Sequence, residues 1–295
     1  MKKILVASLL IAFAFACKNA PKKEAEDSTV SSADEVKTTE LVFQWTTDTL
    51  LTTSESVIYD KVRDVLYVSN IAGVPSERDG VGFISKVGMD GTIIEAEWIS
   101  GMDAPKGLGL HGDKLYVNDI DKIIEIDIPE AKVAKSHPIE GAIFLNDITT
   151  DSDGNVYASD SNAGAIFMLE GDKVSKVTDG LSGPNGLLHD GETFYVALWN
   201  EQTLNTLDLD SKAITKVADG LENPDGIEPV GDGTYFVSSW QGLIHLVDAE
   251  GNGEILLDTS EDEIGAADIE YIQEKNLLLV PTFNKNGLSA YTFVR

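Results

Sequence analysis

The sequence predicts an all-β fold, a six-bladed β-propeller closed by the N-terminal strand. Three observations support this prediction. A short polar loop motif recurs with polar residues at positions 106, 146, 185, 225 and 268, which are 40, 39, 40 and 43 residues apart. Each interval holds four short apolar segments divided by Gly, Asp and Asn turns. No interval has the apolar spacing of three and four residues that a helical repeat would need.

The first residues have the pattern of an export signal. Lys2 and Lys3 precede an apolar run from Ile4 to Phe15, which is long enough for a signal-peptide core and too short for a permanent membrane span. Cys17, the only cysteine of the chain, follows directly and resembles the lipidated cysteine of a bacterial lipobox. We expect a signal peptide over 1–16 and lipidation of Cys17; the alternative is an ordinary cleavage site that happens to precede a cysteine.

The next segment predicts a tether. Residues 17–40 are rich in Lys, Glu, Ser, Thr and Ala, so they cannot bury enough apolar surface to fold. We expect the propeller to occupy 41–295 and the protein to be an exported lipoprotein of the periplasm, the outer membrane or the cell surface. Membrane contact would be through the lipid anchor only. The oligomeric state is not determined by the sequence.

The net charge excludes one class of partner. The chain has 22 Lys and Arg against 50 Asp and Glu, a formal charge of -28. Such a field repels phosphate backbones, so we expect no nucleic-acid partner. The partner that we expect, on the site residues described below, is a small-molecule substrate.

The segments within each interval predict the strands of a blade. A strand core such as Tyr116-Val117 or Tyr195-Val196 follows each polar position by ten or eleven residues, and two further short strands complete the unit. A unit around Glu55 precedes the first motif, which makes six. The last unit lacks a fourth strand, and the N-terminal segment from Leu41 has the pattern of one. Its pairing there would remove the open sheet edges.

The recurring polar positions predict a site. A residue just before each innermost strand would face one mouth of the central channel, where six side chains would converge. Carboxylates and amides confined there need a positive partner, and hard oxygen ligands suit Ca²⁺, whereas the absence of Cys and His from the set argues against zinc. The six residues are Glu55, Lys106, Asn146, Asn185, Asp225 and Asp268.

These motifs resemble the metal-site motifs of the regucalcin, gluconolactonase and luciferin-regenerating-enzyme family, and a similar scheme occurs in diisopropyl fluorophosphatase and paraoxonase. The resemblance covers Leu41 to Arg295. It implies a calcium ion held by Glu55, Asn185 and Asp225, with Asn146 as a ligand or substrate contact. It also implies Asp225 as the catalytic base or nucleophile. The quoted motifs are Glu55-Ser56-Val57, Asn146-Asp147, Pro184-Asn185-Gly186-Leu187 and Pro224-Asp225-Gly226-Ile227.

One residue departs from the family pattern. Phe144 stands where sugar-lactonase members place an Arg, which argues against gluconolactone and for a more apolar substrate. Lys106, Phe144, Asp147 and Asp268 are expected around the metal as substrate or supporting residues. Lys106 could instead supply the positive charge itself and make the ring a structural salt-bridge cluster.

Three functions remain compatible with the sequence. The first is a calcium-dependent hydrolase of lactones or related esters, phosphotriesters included. The second is a non-catalytic propeller that binds a ligand or partner and uses its metal structurally. The third is a metal-free propeller enzyme similar to strictosidine synthase, which would not require the Glu, Asn and Asp set.

Overall fold

The computed structural model of the protein describes residues 39–295, and it confirms the predicted propeller. Six four-stranded antiparallel sheets form the blades. The innermost strand of each blade contacts that of the next blade, and the last contacts the first, so the blades form a closed ring. Sequence periods of about 40 residues thus correspond to one blade each.

The blades follow one another along the chain, and the first three are formed by β2 to β13. From the channel outward, blade 1 consists of β2 (Ser54–Asp60), β3 (Val65–Asn70), β4 (Gly82–Gly88) and β5 (Ile93–Met102). Blade 2 consists of β6 (Pro105–His111), β7 (Lys114–Asp119), β8 (Lys122–Asp127) and β9 (Lys132–Pro138). Blade 3 consists of β10 (Leu145–Thr150), β11 (Val156–Asp160), β12 (Ala165–Glu170) and β13 (Lys173–Thr178).

The last three blades use β14 to β24 together with the first strand of the chain. Blade 4 consists of β14 (Pro184–Asp190), β15 (Thr193–Leu198), β16 (Thr203–Leu207) and β17 (Ile214–Asp219). Blade 5 consists of β18 (Pro224–Gly231), β19 (Thr234–Ser239), β20 (Leu243–Val247) and β21 (Gly253–Asp258). Blade 6 consists of β22 (Glu270–Ile272), β23 (Leu277–Pro281), β24 (Leu288–Val294) and β1 (Glu40–Thr46).

Three short 3₁₀ helices lie in and near the last blade. They span Ser260–Asp262, Gln273–Lys275 and Phe283–Lys285. Within residues 39–295, no helix combines the length and the apolar character needed to cross a membrane.

The core lies between neighbouring blades. Tyr67 and Ile84 of blade 1, for example, pack with Leu115 and Val117 of blade 2 in one apolar cluster. Successive side chains of a strand point to opposite faces, so each sheet can bury apolar residues against both neighbours. The second strands are accordingly almost wholly buried, which explains why they read as continuous apolar runs.

The N-terminal strand closes the ring, as predicted. β1 pairs antiparallel with β24 and completes the order β1-β24-β23-β22. Trp45 of this strand packs into the cluster shared by blades 6 and 1. β1 begins at Glu40, one residue before the expected start of the domain. The predictions of a signal peptide over 1–16 and of lipidation at Cys17 lie outside the described residues, as does most of the tether predicted for 17–40.

Candidate functional site

The innermost strands place the recurring polar residues. In five blades the polar residue is the second residue of the strand, not the residue before it as we expected from the sequence. The strand register shifts between the first and the fourth residue of each of these strands. Such a bulge re-aims side chains locally. The five residues are Glu55, Lys106, Asn146, Asn185 and Asp225.

A pocket of about 340 Å³ collects these five residues at one mouth of the channel. Phe144, the sixth member of the predicted set found here, lies two residues before Asn146. The predicted convergence therefore holds for five of the six ring residues, with Asp268 the exception, while their roles stay predictions. The pocket is lined by Glu55, Ile71, Pro75, Lys106, Phe144, Asn146, Ser161, Asn162, Gly183, Asn185, Trp199, Asn200, Asp225, Trp240 and Phe283.

Three buried oxygens in this pocket have no hydrogen-bond partner among the described residues: Glu55 Oε2, Asn185 Oδ1 and Asp225 Oδ1. The amide of Asn185 is oriented by its nitrogen, since Nδ2 donates to the carbonyl oxygen of Pro224 at 3.2 Å. Its oxygen is therefore left free. Buried polar atoms in native proteins are nearly always partnered, so three such oxygens in one pocket are available to ligate a cation.

The two carboxylates are strongly perturbed. Burial raises the pKa of Glu55 well above its ordinary value, and the charges of Asp225 and Asp268 add to the rise while Lys106 opposes it. Burial also raises the pKa of Asp225, again with Asp268 adding to it, while a hydrogen bond from Asn185 lowers it. Both acids would be stabilised in their charged form by a cation placed between them.

Lys106 is almost fully buried, with 1% of its surface exposed. Its Nζ donates to the carbonyl oxygen of Ala104 at 3.0 Å and lies 4.4 Å from the centre of the Phe144 ring. Burial lowers its pKa to about 8, although Glu55, Asp119 and Asp160 oppose the shift. Most Lys106 side chains are thus charged at neutral pH, which gives the pocket a cation of its own.

Two aspartates hold the backbone around this cation. Asp119 accepts the backbone N–H of Ala104 at 2.7 Å, and Asp160 accepts those of Ile143 and Phe144 at 2.6 and 3.1 Å. Both occupy the last position of the second strand in their blades. They therefore position the carbonyl and the ring that contact Lys106.

Two of the predicted supporting residues do not reach the pocket. Asp147 and Asp268 line a separate cavity of about 130 Å³ further along the innermost strands, together with Glu228 and Glu270. Ser56 Oγ donates to Asp268 Oδ2 at 2.5 Å, and the backbone N–H of Leu187 donates to Asp147 Oδ2 at 2.6 Å.

Asp147 and Asp268 miss the pocket because each lies one residue after the position that lines it. Asp268 forms a bridge with Ser56, the residue after Glu55, so Ala267 is the true counterpart of the pocket residues in blade 6. A one-residue slip in a strand moves a side chain to the other side. Asp147 has the same position after Asn146. Glycine occupies this position at 107, 186 and 226, where an added Cβ would overlap the next blade.

The aromatic side of the pocket was not predicted from the sequence. Trp199 and Trp240 directly follow the second strands of blades 4 and 5, and Phe283 follows that of blade 6 by two residues. Their rings are neighbours, with centres 6.4 and 5.5 Å apart. We call these three residues the aromatic arc. The signal was present, since the loop after each second strand recurs at the blade period.

The donor set fits a calcium ion. Two carboxylates and two amides, all with oxygen donors, suit a hard cation, and the three unpartnered oxygens belong to the predicted ligands. In residues 39–295, no group of three or more His, Cys, Asp or Glu side chains is placed to hold a metal. The set proposed here contains only two such residues, Glu55 and Asp225, and relies on Asn146 and Asn185 for the rest.

Comparison of structures identifies relatives in fold. A candidate gluconolactonase superposes with a TM-score of 0.66 at 16% identity, over 87% of this chain and 93% of that one. A catalytically inactive virginiamycin B lyase from Staphylococcus aureus with quinupristin superposes with a TM-score of 0.60 at 13% identity, over 87% and 99% of the two chains. A scan against protein-family models and a search of curated proteins found no match. The likeness concerns the fold alone.

Proposed function

We propose that the protein is a calcium-dependent hydrolase of lactones or related esters that acts at the pocket mouth. The observation that carries this proposal is the set of three unpartnered buried oxygens on Glu55, Asn185 and Asp225. The fold is compatible with it, since the structural neighbours include a candidate gluconolactonase and a lyase, both propeller enzymes. Phosphotriesters are a further ester class that the same chemistry could take.

The chain's own residues divide the work. Glu55, Asn185 and Asp225 would hold the ion, with Asn146 as a further ligand or a substrate contact. A bound Ca²⁺ would supply Lewis-acid polarisation of the carbonyl or phosphoryl oxygen. Asp225 would also take a proton from an attacking water, or attack the acyl carbon itself, through whichever of its two carboxylate oxygens does not hold the ion.

The surrounding side chains orient the substrate and exclude water. Asn146 Nδ2 donates to Ser161 Oγ at 3.1 Å, which holds the amide in one orientation. The aromatic arc and Phe144 give the pocket apolar walls. A dry, shaped site strengthens every charge interaction inside it.

The first experiment tests metal and activity together. Calcium content and calorimetric calcium binding are measured on the purified full-length chain, followed by a panel of aliphatic, aryl and sugar lactones, esters and phosphotriesters with and without chelator. We expect Asp225→Asn to weaken calcium binding and to lower kcat by at least about 100-fold, because it removes both a charged ligand and the base. Glu55→Gln should weaken binding in the same direction.

Matched controls and products complete the test. Asp210→Asn and Glu222→Gln change exposed acids elsewhere and should bind calcium like the parent. Hydrolysis adds the mass of one water to a lactone, whereas elimination by a lyase adds none. Undiminished calcium binding in both pocket variants would rule out the site. If the calcium-loaded protein converts nothing on the panel, the non-catalytic binding function replaces the hydrolase.

We further propose that the protein is an exported lipoprotein anchored through Cys17. This rests on the apolar run before the cysteine and on its being the only one in the chain. Cys17→Ser should move the protein from the membrane fraction to the soluble fraction in the producing bacterium. Equal membrane association of variant and parent would contradict the anchor.

A further inference from the structure

Lys106 has more hydrogen-bonding capacity than the protein uses. Its ammonium carries three N–H donors, and the carbonyl of Ala104 accepts one of them. In the described part of the chain, Lys106 forms no ion pair within salt-bridge distance, whereas Lys122 and Lys135, for example, pair with aspartates. A buried charge with open donors is costly unless something pairs with it.

The Phe144 ring fixes where this charge can act. The ammonium lies over the ring at 4.4 Å, a cation–π contact that holds the lysine against blade 3 without using its N–H donors for a carboxylate. Lys106 also lines the pocket, so the remaining donors are available to a ligand there.

The aromatic arc reaches the same place. Phe283, at one end of the arc, packs against Ile71, Ala104 and Ile120. Ala104 is the residue whose carbonyl accepts from Lys106, and Lys106 and the three rings of the arc line one pocket, so an aromatic surface and an underused cation share that pocket. Trp240 sits between Phe283 and Trp199 and extends that surface across two further blades.

The side-chain charges of the pocket, counted without a metal ion, favour a ligand with one negative charge. Lys106 is the single basic residue among the lining residues, and Glu55 and Asp225 line the same space. One ammonium can balance one carboxylate, while a dianion would place its second charge near those acids.

We propose that the pocket is specific for ligands that combine an aromatic ring with one carboxylate, the ring lying on the aromatic arc and the carboxylate on the ammonium of Lys106. In the proposed hydrolase the substrates are therefore aryl lactones or esters that carry a separate carboxylate. This naming of the substrate class rests on the proposed function, whereas the binding site itself does not.

The test compares two ligands of nearly equal size, of which one is an anion and the other is neutral. Phenylacetate and its neutral counterpart phenylacetamide are titrated calorimetrically into the purified full-length chain, once with calcium chloride and once with chelator. We expect phenylacetate to bind at least about tenfold more tightly, since a desolvated charge-assisted contact is worth more than a neutral one. Equal binding of the two ligands, or no binding of phenylacetate, would overturn the proposal.

Variants then test whether Lys106 causes the preference for phenylacetate over phenylacetamide. Lys106→Met keeps an unbranched side chain, one atom shorter, and removes the charge, so it should weaken the binding of phenylacetate by about tenfold and leave that of phenylacetamide unchanged. Lys135→Met, at an exposed lysine paired with Asp172, should change neither. Trp240→Leu should weaken the binding of both ligands to the same extent. A Lys106→Met protein that binds phenylacetate like the parent contradicts the proposal; should that variant fail to fold, the two-ligand comparison on the parent still decides.

The result is independent of hydrolysis. A protein that binds phenylacetate through Lys106 but converts no ester retains this inference and loses the proposed hydrolase function. A protein that hydrolyses neutral esters as well as their carboxylated counterparts, with no preference for phenylacetate, retains the hydrolase function and loses this inference.

Discussion

Glu55 and Asp225 each leave one buried oxygen without a donor, and they do so in a pocket that also contains Lys106. Their pKa values are raised chiefly by burial, which means that the site is prepared for a positive partner that the three side chains alone do not supply. The lysine forms no ion pair with either acid, because its hydrogen bond goes to Ala104 and its charge lies against Phe144; its charge only partly offsets the raised pKa of Glu55.

A second set of acids makes stability depend on pH. Burial raises the pKa of Glu270 to about 8 and that of Glu228 well above its ordinary value, and nearby acids add to both shifts. Their cavity is also lined by Asp147 and Asp268, with no Lys, Arg or His among its lining residues. The folded protein thus holds protons that the unfolded chain releases. The stability that these protonated acids contribute is complete at acid pH and is lost as the pH rises through their pKa values in the folded protein.

In the presence of chelator, we therefore expect the free energy of unfolding of the parent to decrease between about pH 5.5 and pH 8.5. That of the Glu270→Gln variant should decrease less steeply. Urea unfolding at both pH values measures it. Glu254→Gln removes one exposed charge and serves as the control for net charge, so it should keep the slope of the parent. A Glu270→Gln slope equal to that of the parent would show that Glu270 is not the group responsible.

At the scale of elements, the bulge in the innermost strands of blades 1 to 5 is what forms the site. In blade 3 the bulge contains the second and third residues of the strand, of which Asn146 lines the pocket and Asp147 lines the cavity below it. The third position is glycine in blades 2, 4 and 5 because the next blade approaches too closely for a side chain. At Gly186 an added Cβ would overlap the carbonyl oxygen of Asp225.

Gly186→Ala should consequently lower the free energy of unfolding by at least about 2 kcal/mol and weaken calcium binding, since the strand carrying Asp225 has to move. The matched control is Gly253→Ala in β21, where the nearest atom to an added Cβ is Leu221 Cδ2 at 3.9 Å. Urea unfolding and calorimetry on both variants test the prediction. Loss of stability with unchanged calcium binding would mean that the bulge does not position Asp225.

The whole molecule depends on closure by its first strand. β1 is the outer strand of blade 6, and without it β24 would expose an unpaired edge while the cluster around Trp45 would lose a member. The last blade thus pairs the first strand of the propeller with its last strand.

Removal of residues 1–47 should therefore cause unfolding or aggregation, because the ring opens and an edge strand is exposed. Removal of residues 1–39, which keeps β1, should leave the melting temperature of the propeller unchanged. Thermal unfolding and size-exclusion chromatography compare the two truncations. A monomeric product with an unchanged melting temperature after the longer truncation would contradict closure by β1.

Much of this arrangement was predictable from spacing alone. Strands in a propeller pair mostly with their sequence neighbours, so a period of about 40 residues with four apolar segments determines the blades, and the missing fourth strand at the C-terminus indicates the closing role of the segment after Leu41. The same periodicity identified five of the six members of the polar ring, because equivalent positions in a closed ring face one mouth.

Only the tertiary structure decided the rest. Blade 6 departs from the period, so spacing alone assigned Asp268 where the bridge to Ser56 shows Ala267 to be the counterpart. The contact of Lys106 with Phe144 and the meeting of Trp199, Trp240 and Phe283 join residues about 40 apart in the chain. Such contacts depend on the directions in which bulges and loops orient individual side chains across neighbouring blades. These directions cannot be predicted from a local sequence pattern.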